Sequence, residues 1–260
     1  MKDYFIGLWR DRFILFSLVN RDLQAKYRRS VLGIAWAVLT PLGLVLIIGS
    51  VYSIIFGTDP KEFIPLLFAG LNPWIFMNAA AEGGTNAFLS AEGYLKQTTV
   101  NAQIFPLRVT IVNFINLLYS IIAFFAIYLF LQPQLFGPKM LLMFPGLIIM
   151  FLFALSLSNY SAVINLNLRD FQPIQSLVLQ GLFYVTPIIY QPEMLAKRGF
   201  EFVYRINPFY YIMEVVRMPM LGLGLPEVST YAIAIGLALS LFISSVVMVM
   251  NTKKGIAFKL

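Results

Sequence analysis

The chain has 260 residues, of which 59% are hydrophobic and only 12% are charged. Soluble domains have about 45–50% apolar and about 25% charged residues, so this composition indicates a protein that contacts lipid. The sequence contains no cysteine and no histidine, which excludes disulfides, thiol and histidine catalysis, and zinc hydrolases. The net charge of +7 would suggest nucleic acid in a soluble protein, but the placement of the charges indicates another cause.

The first predicted element is an amphipathic helix over residues 3–29. Seven Lys or Arg and three Asp lie within residues 1–29, which is too many charges for a segment inside the hydrocarbon. One face is apolar at helical spacing and comprises Phe5, Leu8, Trp9, Phe13, Phe16, Val19, Leu23 and Tyr27. A basic helix with such a face is typical of the membrane interface, so we expect it to lie on the bilayer.

Six further elements are predicted from runs that lack Asp, Glu, Lys and Arg. A helix crossing the hydrocarbon needs roughly 20 apolar residues, and each run reaches or approaches that length. The predicted spans cover residues 32–56, 63–82, 108–131, 141–167, 171–191 and 229–251. The sequence therefore predicts an all-α integral membrane fold with six transmembrane helices in a single domain over residues 1–260.

The segment 192–227, between the last two spans, has a different pattern. It is rich in proline, and its aromatic middle is too short to cross a bilayer. We expect two short re-entrant or interfacial helices on the outer face, because irregular backbone at membrane depth must be covered by protein or line a cavity.

Positive charge orients the predicted bundle. With the N-terminus in the cytoplasm, thirteen of the 19 Lys and Arg lie on the inner side and six on the outer side. Both termini are then cytoplasmic. Most of the net charge reflects topology and contact with anionic lipid, and it does not call for nucleic acid.

The sequence lacks an energy source for transport. It has no GxxxxGK[ST] phosphate loop, and only Glu82 lies near a span, whereas ion-coupled transporters carry ionisable residues inside their spans. Two interpretations are compatible with this: a pump in which another subunit hydrolyses ATP, and a passive pore. An enzyme acting on a lipid-linked sugar would need clustered carboxylates, and Glu82 and Asp170 are too isolated for that role.

Aromatic residues make up 15% of the chain. Flat rings can stack on sugars, although aromatic side chains also face lipid in many membrane proteins. Tyr and Trp within a span favour a polar partner or an aqueous lumen. The candidates for lining a channel are Trp36, Tyr52, Tyr160, Tyr184 and Tyr190.

Four short motifs occur in order along the chain. They are RDL with KYRRSVLG inside residues 21–41, NLRD at 167–170, YVTPIIY at 184–190, and Asn207-Pro208 followed by Glu214 and Arg217. In kind and spacing they resemble the permease subunits of type-2 ABC exporters of polysaccharide, which serve O-antigen, capsule and teichoic acid. The one departure is Thr186, where a serine is frequent.

The resemblance implies a permease, not an enzyme, in the inner membrane of a bacterium. Two copies would form a homodimer around one channel, and two copies of a cytoplasmic ABC ATPase would hold ATP and Mg, so this chain would need no cofactor or metal. The cargo would be a glycan linked to undecaprenyl diphosphate. O-antigen is the favoured glycan, and capsule or teichoic acid are alternatives. An ion-coupled transporter or a passive channel is the more distant alternative.

The resemblance also suggests residues that couple the permease to the ATPase. The segment 92–104 would receive the movement of the ATPase, together with the turn after the fourth span. The coupling candidates are Glu92, Tyr94, Lys96, Arg169 and Asp170. An ion pair at a helix end is the alternative role for Arg169 and Asp170.

Further candidates concern the lipid diphosphate and the outer gate. Arginine binds phosphate in a bidentate manner, so the candidates for binding the lipid diphosphate are Arg21, Arg28 and Arg29. For Arg28 and Arg29, anchoring at the inner membrane surface is an equal alternative. Residues 192–227 would gate the outer mouth. The gate candidates are Asn207, Pro208, Tyr211, Glu214 and Arg217. Glu214 and Arg217 stand three residues apart, and we expect them to pair in support of the gate.

Overall fold

The computed structural model of the chain describes residues 2–27, 30, 32–252 and 255–260, and within these ranges it contains helices and turns but no strand. The α-helices are Lys2–Arg10 (α1), Arg12–Tyr27 (α2), Trp36–Phe56 (α3), Pro60–Thr85 (α4), Glu92–Gln97 (α5), Ile104–Leu131 (α6), Met143–Asn167 (α7), Phe171–Val185 (α8), Pro192–Ala196 (α9), Glu201–Arg205 (α10), Pro208–Met220 (α11), Val228–Thr252 (α12) and Ile256–Lys259 (α13). Short 3-10 turns cover Gly33–Ala35, Leu89–Ala91, Pro133–Leu135 and Pro138–Leu142.

Among the described residues, α3, α4, α6, α7 and α12 are long and apolar enough to cross a membrane. This finding confirms the all-helical membrane fold, and the bounds of these helices lie within four residues of the predicted spans. The predicted span 171–191 corresponds to α8, which has 15 residues and ends at Val185. It ends there because Thr186 precedes Pro187 and takes an extended conformation, with φ −82° and ψ 133°.

Helix α4 lies at the centre of the bundle and packs against α3, α6, α7, α8 and α11. Its start is fixed by Asp59, whose carboxylate accepts a hydrogen bond from the Lys61 N–H at 2.8 Å, and by Pro60 in the first helical position. The preceding helix α3 ends at Gly57, which has φ +64°. Glycine adopts this left-handed conformation without steric cost, so α3 and α4 are joined by a tight connection.

Two glycines allow close approach of helix backbones in the interior. An ideal Cβ on Gly84 of α4 would lie 2.7 Å from the Cα of Ser158 in α7. One on Gly146 of α7 would lie 2.2 Å from the carbonyl oxygen of Val215 in α11. Small residues at such contacts are typical of membrane bundles, where close van der Waals packing replaces the hydrophobic effect.

The predicted interface helix consists of two helices, α1 and α2, which are separated by a turn at Asp11. The aromatic part of its predicted apolar face points away from the protein, with exposed fractions of 52%, 71%, 72% and 68% for Phe5, Trp9, Phe13 and Phe16. The guanidinium carbon of Arg12 lies 4.5 Å and 4.3 Å from the ring centres of Trp9 and Phe13. An exposed aromatic face beside a cation is typical of a helix in the membrane interface.

The segment 192–227 forms three short helices, α9, α10 and α11, where the sequence predicts two. Helix α11 starts after Asn207, whose side-chain oxygen accepts a hydrogen bond from the Phe209 N–H at 3.0 Å. It is buried among α4, α7 and α12 and does not lie on the surface. We call the end of the bundle where α4 begins and α8 ends the apical end, and the end where α6 begins and α12 ends the basal end.

Candidate functional site

A row of polar side chains follows the adjoining faces of α4 and α8. On α8 these residues recur every four positions and therefore share one face. The row consists of Asn78, Glu82 and Asn86 on α4 and Gln172, Ser176, Gln180 and Tyr184 on α8. All of them are exposed or half-buried at the surface of the single chain. We call this row, with the space that it lines, the polar groove.

The polar groove has a defined top and bottom. Its middle is a space of about 270 Å³ between the two helices. Near the apical end Trp74 lines it, with its ring 5.7 Å from that of Phe183 and 5.2 Å from that of Phe209. At the basal end the Asn86 side-chain amide donates a hydrogen bond to the Gln172 side-chain oxygen at 3.4 Å.

Polar groups at this depth cannot face lipid without a large cost. Unpaired polar atoms in hydrocarbon cost several kcal/mol each, and ionisable groups such as Glu82 are found facing a bundle interior or water. On α8 only Gln175 and Leu179 are buried against the rest of the chain. The polar groove of the chain is therefore open on one side, and water or a second protein surface must cover it.

The five aromatic channel candidates do not gather in one place. Tyr184 lines the polar groove and is 66% exposed, and the Tyr190 hydroxyl donates to the Tyr184 carbonyl oxygen at 3.0 Å. Trp36 donates to the Ser30 hydroxyl at 3.0 Å, near the start of α3. The other two lie elsewhere: the ring of Tyr52 is 5.7 Å from that of Phe56, and the hydroxyl of Tyr160 is 2.6 Å from that of Ser244.

At the basal end, α1 and α2 are tied to the segment that follows α5. The carboxylate of Asp11 is buried and accepts hydrogen bonds from the backbone N–H of Asn101 at 2.7 Å and from its side-chain amide at 2.8 Å. The Gln103 amide donates to the Tyr4 carbonyl oxygen at 3.1 Å, and Arg10 donates to the Thr99 carbonyl oxygen at 2.9 Å. We call this set of contacts the basal clasp.

The electrostatics of Asp11 follow from these contacts. Burial raises the pKa of Asp11, but hydrogen bonds from the backbone of Asn101 and from the side chains of Arg10 and Asn101 lower it by more. The net pKa therefore lies below its ordinary value, and the carboxylate is ionised at neutral pH.

A second set of contacts joins α2 to the coupling segment. Asp22 of α2 pairs with Arg108 of α6 at 3.2 Å, and Arg108 also donates to the Ser90 hydroxyl at 3.3 Å. The predicted diphosphate candidate Arg21 donates to the Tyr94 hydroxyl at 3.4 Å and lies 3.6 Å from Asp22. Arg28 and Arg29 lie outside the described residues.

The coupling candidates form an exposed basal surface. Lys96 pairs with Glu92 at 2.7 Å along α5. The hydrogen bond from Lys96 and its charge lower the pKa of Glu92, and the charge of Arg169 lowers it slightly further. Arg169 and Asp170 are both exposed, and within the described part of the chain they do not pair with each other. Their neighbour Asn167 accepts a hydrogen bond from Lys259 of α13.

At the apical end the third and fourth sequence motifs meet. Arg217 donates to the carbonyl oxygen of Pro187 at 2.6 Å and lies 3.3 Å from Glu214, so the expected pair is present. Asn207 donates to the Thr186 hydroxyl at 2.7 Å. All of these side chains are buried. Since the 186–190 segment has no helical hydrogen bonds of its own beyond Thr186, these donors hold the end of α8 against α11. We call them the apical clamp.

The remaining gate candidates border this clamp. Pro208 is the first residue of α11, and the Tyr211 hydroxyl donates to the carbonyl oxygen of Arg205 at 2.8 Å, which fixes α11 against α10.

The polar groove and the basal clasp are absent from the sequence-based candidates, apart from Tyr184. A pattern in the sequence does mark the groove, because polar residues recur every four positions inside an uncharged run.

The chain matches the family described as ABC-2 type transporter over residues 14–221. It is 30% identical over 184 residues to the O-antigen export system permease protein RfbA of Myxococcus xanthus, and the match covers 70% of each chain. Two proteins of the same description from Klebsiella pneumoniae are 26% and 24% identical over 199 and 196 residues, with 75% of each chain covered.

The five long apolar helices define a multi-pass membrane protein, and polar residues on adjoining helix faces within such a bundle mark functional positions. The match extends over most of the chain, including the polar groove and the apical clamp. The chain belongs to the ABC-2 type transporter family, of which it is a membrane permease and not an enzyme.

Proposed function

We propose that this chain is the permease subunit of an ATP-driven exporter that carries O-antigen, as a glycan linked to undecaprenyl diphosphate, across the bacterial inner membrane. The family and the O-antigen export permeases among its relatives support the class and the cargo. Both termini and the basal end would face the cytoplasm, which agrees with the excess of Lys and Arg on that side.

The observation that carries the proposal is the polar groove. A single copy exposes Glu82, Gln180 and the rest of the row on its surface, where lipid would be unfavourable. In a homodimer the grooves of two copies can face each other and enclose one aqueous path. Amide and hydroxyl groups along such a path exchange hydrogen bonds with sugar hydroxyls without binding any one of them tightly.

The basal surface supports the proposed partner. Helix α5 exposes an ion pair, and the segment that follows it is joined by the basal clasp to α1 and α2, which we expect to lie on the membrane. A cytoplasmic ABC ATPase that pushes on α5 would therefore move α1 and α2 together with the start of α6. Two ATPase copies would serve the two permease copies, and ATP and Mg would be held there and not in this chain.

Single cysteines can test the groove directly, because the chain has none of its own. We expect Gln180→Cys to react with a membrane-impermeant, water-soluble thiol reagent in the assembled exporter. Leu177→Cys is the matched control, since Leu177 lies on the same helix and is 71% exposed on its apolar face. Lipid should cover that position and slow the reaction, because thiolates do not form in hydrocarbon.

Labelling of Gln180→Cys should also block export of surface polysaccharide in cells, whereas labelling at the control position should not. Equal reaction at both positions would contradict the aqueous path. Export that continues in cells lacking the chain would overturn the proposed function as a whole.

A further inference from the structure

A second cavity of about 640 Å³ lies at the apical end, between α9, α10, α11 and the start of α12. Its volume is within the range of roughly 300–1,000 Å³ that is common for small-molecule sites. It is separate from the polar groove, with which it shares no lining residue.

The charges around this cavity are unbalanced. Four carboxylates line it, from Glu193, Glu201, Glu214 and Glu227, against two guanidinium groups, from Arg205 and Arg217. Glu201 pairs with Arg205, and Glu214 lies 3.3 Å from Arg217, whereas Glu193 and Glu227 form no salt bridge with a described residue. Burial raises the pKa of Glu214, with Arg217 acting against it. Even with that group neutral, the lining stays negative and repels anions.

Three aromatic rings also line the cavity. The ring of Tyr210 lies 4.9 Å from that of Tyr204 and 5.3 Å from that of Tyr211, so three tyrosines form one continuous surface. Such rings offer flat apolar faces together with hydroxyl groups. A sugar ring has the complementary pattern, because its C–H faces are apolar and its edge carries hydroxyls.

One acceptor inside the cavity lacks a hydrogen-bond donor. Glu214 is 6% exposed, and its Oε1 makes no hydrogen bond to a described residue, since the nearby Arg217 group is directed to the Pro187 carbonyl oxygen. A buried carboxylate oxygen without a donor is costly. This oxygen is itself fully covered, so an entering group meets Glu214 only as part of the cavity wall.

We propose that this apical cavity binds a neutral or amino sugar unit of the exported glycan as it leaves the channel, and that it excludes polymers bearing phosphate in their repeating units. The proposal rests on the proposed function, and it narrows the cargo: a glycan without phosphate in its repeat fits, and teichoic acid does not. The carboxylates select against anions, and the tyrosine surface holds the ring.

The test uses the full-length chain in lipid nanodiscs with a fluorophore on Thr230→Cys, at the rim of the cavity. The probes are neutral oligosaccharides released by mild acid from the polysaccharide that the cells display, and the same fragments after chemical phosphorylation. We expect the neutral fragments to give a saturable change in fluorescence. The phosphorylated fragments should bind at least about tenfold more weakly, since an uncompensated like charge costs on the order of 1.4 kcal/mol or more.

Two variants test the negative charge and the tyrosine surface separately. The double variant Glu193→Gln with Glu227→Gln removes exposed carboxylates and should shrink the tenfold difference to about twofold or less. Tyr210→Ala should weaken binding of the neutral fragments by about tenfold, because it removes the central ring. Phe202→Ala is the control, since Phe202 is 59% exposed on the neighbouring α10 and does not line the cavity.

Absence of saturable binding by the parent protein, or equal binding of both kinds of fragment, would overturn the proposal. The proposed function has its own test in the same strain, because deletion of the chain must abolish display of the polysaccharide. Display lost on deletion without binding in the cavity would reject the sugar site and leave the export function standing.

Discussion

Replacing Asp11 by alanine should release α1 and α2 from the coupling segment. The Asp11 carboxylate holds Asn101 through two hydrogen bonds of 2.7 Å and 2.8 Å, and it is only 6% exposed. Hydrogen bonds to a charged group contribute about 1.5–3 kcal/mol each. Two of them at the lower bound give about 3 kcal/mol, which corresponds to about a hundredfold change in the ratio of clasped to released forms.

Hydrogen exchange measures this ratio at the site itself, because the Asn101 N–H is one of the two donors. We expect its protection to fall by about a hundredfold in Asp11→Ala and less in Asp11→Asn, which keeps an acceptor. Asp3→Ala is the control, since Asp3 is an exposed acidic residue on α1. A loss of protection below threefold, or equal to that of the control, would refute the reasoning.

The stabilisation that Asp11 gains from Asn101 should also depend on pH, in a direction that follows from the pKa of Asp11. The pKa of Asp11 is lowered in the folded protein, so its contribution is present above the pKa of the unfolded chain, about 3.9. It is lost as the pH falls through the lower, folded value. The difference between the parent and Asp11→Ala should therefore be constant near neutral pH and shrink only in strong acid.

Three other changes have defined outcomes. Gly84→Val should cost about 1–3 kcal/mol, since its Cβ would lie 2.7 Å from Ser158, and size-exclusion chromatography should show less folded protein. Arg217→Met should cost about 3 kcal/mol or more by leaving Glu214 buried without its partner, whereas Arg217→Met with Glu214→Leu should recover most of the thermal stability in detergent. Lipids brominated near the headgroup should quench the fluorescence of Trp9, because Trp9 is 71% exposed on the interfacial face. Trp9→Phe should therefore reduce the quenching by these lipids, and unchanged quenching would contradict that placement.

The membrane spans could be predicted because charge in hydrocarbon is so costly that uncharged runs mark them. The helices that end at Phe56, Leu131 and Asn167 end where the sequence predicts. The early end of α8 depends instead on the order of Thr186 and Pro187, which a count of charges does not register.

The candidate site was harder to predict. Gln172, Ser176 and Gln180 recur at helical spacing, so their shared face was accessible from the sequence, but their position against α4 required the packing. The basal clasp joins Asp11 to Asn101, which are 90 positions apart. No local pattern encodes such a contact, because it depends on how the interfacial helices dock against the bundle.

The short helix α8 has a consequence for the lipid around the protein. Its 15 residues measure about 22 Å, whereas the hydrocarbon layer is about 30 Å thick. Beside α8 the bilayer meets a helical wall of only about three-quarters of its thickness, and hydrophobic mismatch favours thinning of the bilayer there. For the proposed lipid-linked glycan, the path across the bilayer would then be shortest along this side of the molecule. Export should accordingly be faster in membranes with short acyl chains than in membranes with long ones.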